Sequence, residues 1–356
     1  MAPVVQALRA TPGLDVIVCS TGQHADLVNP VLRLFDIQPD HHLAVMQPGQ
    51  SLEDLLARLV SHLGALMAQV QPARVLVQGD TLTTLGGALA AHFHRIPVGH
   101  IEAGLRSGDL LHPWPEEMCR KAVTAIADVH FAPTPRAADA LRAENVPDSE
   151  IHITGNTGID ALVQARAYVQ RQPDCAAASQ KLLQRHPHKK IILVTAHRRE
   201  NWGEGLRGIA QAVARLADRP DAAVICALHP NPQIRAAFDP LARECPQITL
   251  APPLGYAEFV HLLDQSSVVL TDSGGVQEEA PAFGKPVLVL RKTTERPEGL
   301  AAGTAHLVGT DPDLIVDHAQ ALLDDPVAYA RMAQAHNPYG DGQAATRIAR
   351  LLADAA

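Results

Sequence analysis

The chain is short of several things at once. Of its 356 residues only 3% are aromatic and five are cysteine, while 30 basic side chains face 38 acidic ones, a formal net charge of −8. Without a Lys/Arg block there is no electrostatic footprint for nucleic acid, which needs clustered cations to displace phosphate counterions. No stretch approaches 18 uninterrupted apolar residues, and the opening Met1-Ala-Pro-Val-Val-Gln6 lacks the basic region and apolar run of a signal peptide. No membrane partner is expected, and the chain reads as cytoplasmic. Cys19, Cys119, Cys175, Cys226 and Cys245 are scattered, with no pair at the two-residue spacing of zinc or redox sites, and read as free thiols. Histidine is abundant, 18 in all, yet none falls in an HExxH pattern, and His92 and His94 flank Phe93 at a spacing that points them apart on a helix. Neither a metal nor a cofactor is expected.

What the chain does have is apolar content, 47% of residues against 19% charged, enough to bury a large core. Single cores stop growing near 250–300 residues, so the length predicts two domains. Val/Ile/Leu-rich segments alternate with longer amphipathic stretches, the pattern of βαβ units around a parallel sheet. Strands are expected at Leu14–Ser20, Ala73–Gln78, Pro97–Ile101, Val129–Pro133 and Ile151–Thr154, with helices such as Ser51–Val70 between them. After a polar, strand-free stretch near Gln170–His188, a second series follows: Lys190–Thr195, Ala222–Leu228, Ile248–Leu250, Val268–Thr271 and Pro286–Leu290. The fold class is therefore α/β, two Rossmann-like doubly wound domains facing across a ligand cleft. The expected boundaries are 1–155 and 156–337, with a last helix after His336-Asn-Pro-Tyr-Gly-Asp-Gly342 returning residues 338–356 to the first domain. Pro3–Ala10 reads as a helix running straight into the Leu14 strand, so the opening strand and βα loop of a doubly wound half look missing.

The sharpest motif is Thr271-Asp-Ser-Gly-Gly-Val-Gln-Glu-Glu-Ala280, a strand end, a glycine turn and an acidic helix start. Backbone N–H groups of Gly274 and Gly275, with the Ser273 hydroxyl, suit a phosphate, and Glu278 or Glu279 suits ribose hydroxyls. The same string also reads as a tight turn whose acids complement the helix terminus. Val194-Thr-Ala-His-Arg-Arg-Glu-Asn201 likewise ends a strand, where His197 with Arg198 or Arg199 could neutralise a diphosphate or simply be a satisfied loop histidine and surface arginines. Three acids lie at strand ends of the first half: Asp80, Glu102 and Glu116. Converging carboxylates can divide the work of base and acid; singly, Asp80 could cap a helix, Glu116 follows Pro115 in a first helical turn, and Glu102 could pair with Arg106. The loop Arg291–Glu298 adds positive charge near the glycine turn or solvates the surface.

Together these segments resemble the non-hydrolysing UDP-N-acetylglucosamine 2-epimerases over nearly the whole chain. The resemblance rests on Met46-Gln-Pro-Gly-Gln50, Gln78-Gly-Asp-Thr81, Gly99-His-Ile-Glu-Ala-Gly-Leu-Arg106, Pro113-Trp-Pro-Glu-Glu117, Ile153-Thr-Gly-Asn156, His197-Arg-Arg-Glu200, Thr271-Asp-Ser-Gly-Gly275, Thr293-Thr-Glu-Arg-Pro297 and His336–Gly342. It implies a glycosyltransferase-B-like pair of Rossmann domains, a homodimer, and UDP held mainly by the second domain. It further implies interconversion of UDP-N-acetylglucosamine and UDP-N-acetylmannosamine through 2-acetamidoglucal, for surface polysaccharide. By that resemblance Asp80, Glu102 and Glu116 handle protons, His197 stabilises departing UDP, and Ser273, Gly274, Gly275 and Arg198 meet its phosphates. Glu279 takes the ribose, Arg120 and Arg296 support the sugar side, and Gln23 and His24 match positions tied to substrate activation. Two departures stand out. The family's first strand and its Gly-Thr-Arg-Pro-Glu-Ala-Ile-Lys type loop have no counterpart here, so UDP binding is expected to outlast turnover. Gly49 stands where some relatives carry an arginine, leaving substrate activation without that residue. The alternatives are a hydrolysing relative releasing N-acetylmannosamine and UDP, a glycosyltransferase of the same architecture, or an impaired sugar-nucleotide binder.

Overall fold

The computed structural model describes residues 1–23, 25–228 and 231–354. It divides into two units, Met1–Ala161 with Tyr339–Ala356, and Leu162–Pro338. The first unit contains α1 (Ala2–Arg9), β1 (Cys19–Ser20), α2 (Ala25–Leu34), β2 (His41–His42), α3 (Leu52–Val70), β3 (Val75–Gln78), α4 (Leu82–Phe93), β4 (Val98–Ile101), α5 (Glu116–Thr124), β5 (Val129–Ala132), α6 (Pro135–Ala143), β6 (Ile151–Ile153) and the start of α7 (Thr157–Arg171). Strands β3, β4, β5 and β6 form a parallel sheet in that order, Val75 opposite Val98 and His100 opposite His130. The Ser51 side chain accepts from the Asp54 N–H and starts α3, whose Leu55, Leu59, Leu63 and Met67 are buried at helical spacing. Helix α4 lies so close that a Cβ on Gly86 would stand 2.7 Å from the Leu59 Cβ.

The expected strand Leu14–Ser20 is mostly not one. Only Cys19–Ser20 joins a ladder, pairing with His41–His42 in a separate two-stranded sheet. A parallel strand needs neighbours to take its backbone groups. Among the described residues β1 has a neighbour on one side only, and β3 is the edge of its sheet.

The second unit holds α8 (Ala177–Gln184), β7 (Lys190–Thr195), α9 (Glu204–Ala217), β8 (Ala222–Cys226), α10 (Pro232–Glu244), β9 (Ile248–Leu250), α11 (Tyr256–Gln265), β10 (Val268–Thr271), α12 (Gly274–Ala282), β11 (Val287–Val289), α13 (Pro297–Ala302), β12 (Ala305–Leu307), α14 (Pro312–Asp324) and α15 (Pro326–Ala333). The expected strand-free stretch carries no strand and is filled by the end of α7, a 3-10 turn at Pro173–Ala176 and α8. All six strands are parallel in the order β12-β11-β10-β7-β8-β9. That is the doubly wound Rossmann order, whose direction reverses between β7 and β10, the place where such sheets bind ligands. Strands β7, β8 and β10 are almost entirely buried, which is why they read as unbroken apolar runs.

The last helix, α16 (Ala344–Asp354), belongs to the first unit. Its Ala345, Ile348 and Ala349 pack with Val4 and Leu8 of α1 and with Ile101 and Phe131 of the sheet. The Asp160 carboxylate accepts from the N–H groups of Ala344 (3.2 Å) and Ala345 (2.8 Å), satisfying the start of the helix.

Candidate active site

In the first unit, the loops after β3 and β4 and the first turn of α5 bring three acids together. The Asp80 Oδ2 accepts from Arg120 Nη2 at 2.6 Å, and the Glu102 Oε1 lies 3.6 Å from the same nitrogen. Arg120 Nη1 donates to the Glu102 carbonyl at 2.9 Å, so one buried guanidinium holds both loops. Glu102 sits at φ +63°, a left-handed conformation that L residues other than glycine rarely adopt. Glu116 is the first residue of α5, and its Oε2 is buried with no hydrogen-bond partner among the described residues. The Cys119 thiol is pushed up to about 11, first by burial and then by the charges of Asp80 and Glu116.

The simpler structural roles fall away at two of these positions. Asp80 does not cap α4, because the Thr81 side chain accepts from the Thr84 N–H instead. Glu102 does not pair with Arg106, whose guanidinium goes to Glu144 at 2.7 Å. Glu117, buried next door, accepts from the backbone N–H groups of Ser107 (3.0 Å) and Gly108 (3.2 Å) and pins that loop. The Gln23 Oε1 accepts from the Thr83 hydroxyl at 2.5 Å, and His24 lies outside the described residues.

In the second unit, the loops at the β7/β10 switch point are joined by Asp272. Fully buried, it accepts from the backbone N–H groups of His197 (3.0 Å) and Arg198 (2.9 Å), and from Asn201 Nδ2 (3.0 Å), with His197 Nδ1 3.2 Å from Oδ1. Burial opposes its charge, but hydrogen bonds from His197 and these amides outweigh it and hold the carboxyl below its ordinary range. Asp272 therefore orients the imidazole through Nδ1 and leaves Nε2 as the ring nitrogen turned to other work. Ser273 is the N-cap residue of α12 and makes no side-chain cap bond; Gly274 and Gly275 form the first turn. Arg198 Nη2 meets Glu295 at 3.0 Å, Arg291 is bonded to Glu200 and Glu295, and Arg296 to Glu278. Glu279 is partly buried, and its carboxyl is raised to about 7, first by desolvation and then by the neighbouring Glu278 charge.

Sequence reasoning missed Asp272, Asn201 and Glu295. Asp272 had a signal: it follows directly on the run Val268-Val-Leu-Thr271, whose apolar part marks a buried strand, and a carboxylate buried at its end must be hydrogen-bonded. Among the described residues no group of three or more His, Cys, Asp or Glu side chains is placed to hold a metal ion, and no helix is long and apolar enough to cross a membrane.

Two parallel α/β units of Rossmann type, one with a glycine turn at its switch point and the other with clustered carboxylates, define the class: a protein built around a nucleotide-linked ligand. The UDP-N-acetylglucosamine 2-epimerase family model matches residues 6–353. The UDP-N-acetylglucosamine 2-epimerase of Escherichia coli K12 is 47% identical over 356 residues, covering 99% of this chain and 94% of that protein. The crystal structure of the Neisseria meningitidis UDP-GlcNAc 2-epimerase bound to UDP-GlcNAc is 41% identical, with a TM-score of 0.89 over 99% of this chain and 96% of that one. A co-structure of S. aureus MnaA with UDP is 40% identical, with a TM-score of 0.85 over 99% and 92%. This chain belongs to the UDP-N-acetylglucosamine 2-epimerase family.

Proposed function

We propose that the protein reversibly interconverts UDP-N-acetylglucosamine and UDP-N-acetylmannosamine without hydrolysis. The observation that carries this reading is Arg120 holding Asp80 and Glu102, with the charges of Asp80 and Glu116 both felt at Cys119, in a chain of this family. Carbon 2 of the sugar has no adjacent carbonyl to stabilise a carbanion. Removal of its proton is therefore coupled to rupture of the bond between carbon 1 and the UDP oxygen, leaving 2-acetamidoglucal and UDP. Protonation of carbon 2 on the opposite face, with return of UDP to carbon 1, gives the epimer and consumes no water. Two proton-handling groups on opposite faces are needed, and three carboxylates supply them.

The second unit takes the leaving group. His197, oriented by Asp272, and Arg198 meet the charge that grows on the diphosphate, with the Ser273 hydroxyl and the N–H groups of Gly274 and Gly275. Glu279 accepts from the ribose hydroxyls, and Arg296 and Arg120 support the sugar side. Gln23 and His24 belong to the activation region. The same reading takes the protein as a cytoplasmic homodimer, which sedimentation of the purified chain tests by its mass. The decisive experiment is incubation with UDP-N-acetylglucosamine in deuterated water. Deuterium at carbon 2 together with UDP-N-acetylmannosamine is expected; free N-acetylmannosamine rising with UDP, or no exchange at all, would overturn the proposal.

A further inference from the structure

Behind the carboxylates lies a buried histidine that the reaction as written does not use. His100 is fully buried at the end of β4, two residues before Glu102, and its Nε2 is 2.8 Å from the Gly79 carbonyl. A carbonyl only accepts, so Nε2 carries the proton. Nδ1 is then bare, and it has no partner among the described residues. Across the sheet His130 stands opposite in register, also buried and also without a partner at either ring nitrogen among the described residues.

The bond matters because of what Gly79 connects. Its N–H donates to the Ile101 carbonyl at 3.0 Å while its C=O accepts from His100, so both polar groups of one residue are tied to β4. Gly79 sits at φ +75°, and a Cβ there would come within 3.4 Å of Glu102 Oε2. The next residue is Asp80. Whatever turns the Gly79–Asp80 peptide therefore moves Asp80 relative to Glu102 and to the shared Arg120.

We propose that His100 is a positioning residue: as a neutral imidazole it donates from Nε2 to Gly79 and fixes the peptide that sets Asp80 against Glu102. This rests on the epimerase reading for its catalytic consequence. The surroundings keep the ring neutral. Burial, opposed by the Gly79 bond and reinforced by Arg120, His130 and Arg106, lowers it to about 3, and burial followed by Arg106 lowers His130 to about 4. Both shifts favour the neutral ring.

The test compares two substitutions. His100→Gln places an amide N–H where Nε2 stands; His100→Leu fills much of the volume and donates nothing. His100→Leu is expected to lower kcat by about 10- to 100-fold with KM and UDP affinity within twofold, because only the carboxylate geometry is disturbed. His100→Gln is expected to restore kcat to within about threefold of the unsubstituted protein. Equal loss in both variants, an unchanged kcat in His100→Leu, or a fall in UDP affinity matching the fall in kcat would overturn the proposal. Nitrogen-15 spectra of the unsubstituted chain must show His100 neutral and protonated at Nε2 at pH 7, and a protonated Nδ1 would equally overturn it. Should that chain exchange no deuterium at carbon 2, the epimerase reading fails by itself. Positioning is then decided by hydrogen exchange at the Gly79 amide: protection lost about tenfold in His100→Leu and kept in His100→Gln upholds it, and equal protection ends it.

Discussion

Glu102 holds a backbone conformation that costs an L residue roughly 1–2 kcal/mol, and Arg120 restrains it by taking the Glu102 carbonyl. Glu102→Gly removes the strain along with the carboxylate. Thermal unfolding should move little or upward, because glycine's larger unfolded-state entropy offsets part of the relief, while deuterium exchange at carbon 2 falls at least about 100-fold. A large drop in both would mean that Glu102 is chiefly a structural residue. Glu295 makes a different kind of contact. Its Oε1 would lie 3.1 Å from a Cβ on Gly274 and is bonded to Arg198, so a carboxylate stands against the first turn of α12, where an anionic ligand is expected. Glu295→Gln should tighten UDP about threefold to tenfold by calorimetry; unchanged or weaker binding would show that it does not compete with the diphosphate. Glu279 adds a pH dependence. Its carboxyl, raised to about 7, favours the fold while protonated, and that contribution is lost as pH climbs through 7. A ribose needs the ionised form, so affinity for UDP-N-acetylglucosamine, whose diphosphate carries no titrating proton near neutrality, should rise between pH 6 and 8. Glu279→Gln should flatten that rise, and an unaltered slope would remove Glu279 from the ribose.

At the level of elements, legibility followed burial. Strands β7, β9 and β10 run over the expected residues, because a parallel strand covered on both faces is an apolar run with no other explanation. Helix α3 was equally plain, from Ser51 through its leucines. The strand before Ser20 was misread because an apolar segment promises neither cover nor a neighbour for its hydrogen bonds: Ile17 is 51% exposed and only Cys19–Ser20 is paired. Site residues followed the same logic. Asp80, Glu102 and Glu116 could be picked out as strand-end acids, yet the Arg120 that Asp80 and Glu102 share and the His100 bond depend on pairs up to 40 positions apart, which spacing does not reveal. The α3–α4 contact gives a direct check. Leu59→Ala, against the close face of Gly86, should cost about 2–5 kcal/mol in urea unfolding, and a cost under 1 kcal/mol would mean that this packing is not what holds the helices.

Over the whole molecule, the two units carry different parts of the proposed work, so a ligand should stabilise them unequally. A nucleotide bound to the native second unit at 100 times its Kd adds about 2.7 kcal/mol against unfolding. With UDP present, amides of β7 and β10 should gain protection from hydrogen exchange while those of β4 and β5 gain less. The reverse pattern would move the nucleotide to the first unit.

The return of α16 to α1 also has a consequence during synthesis. Val4 and Leu8 leave the ribosome about 340 residues ahead of the Ile348 and Ala349 that cover them. At roughly 5–20 residues per second, the ~180 residues between Ala161 and Ala344 take about 10–35 s to appear. Through that interval the nascent first unit lacks the cover of α16 and the two N–H groups that the Asp160 carboxylate accepts from, while Leu162–Pro338 emerges as a contiguous unit. Of the two units, the one whose synthesis starts earlier is therefore the one completed later, and Val4 and Leu8 are residues that a nascent-chain chaperone would find uncovered.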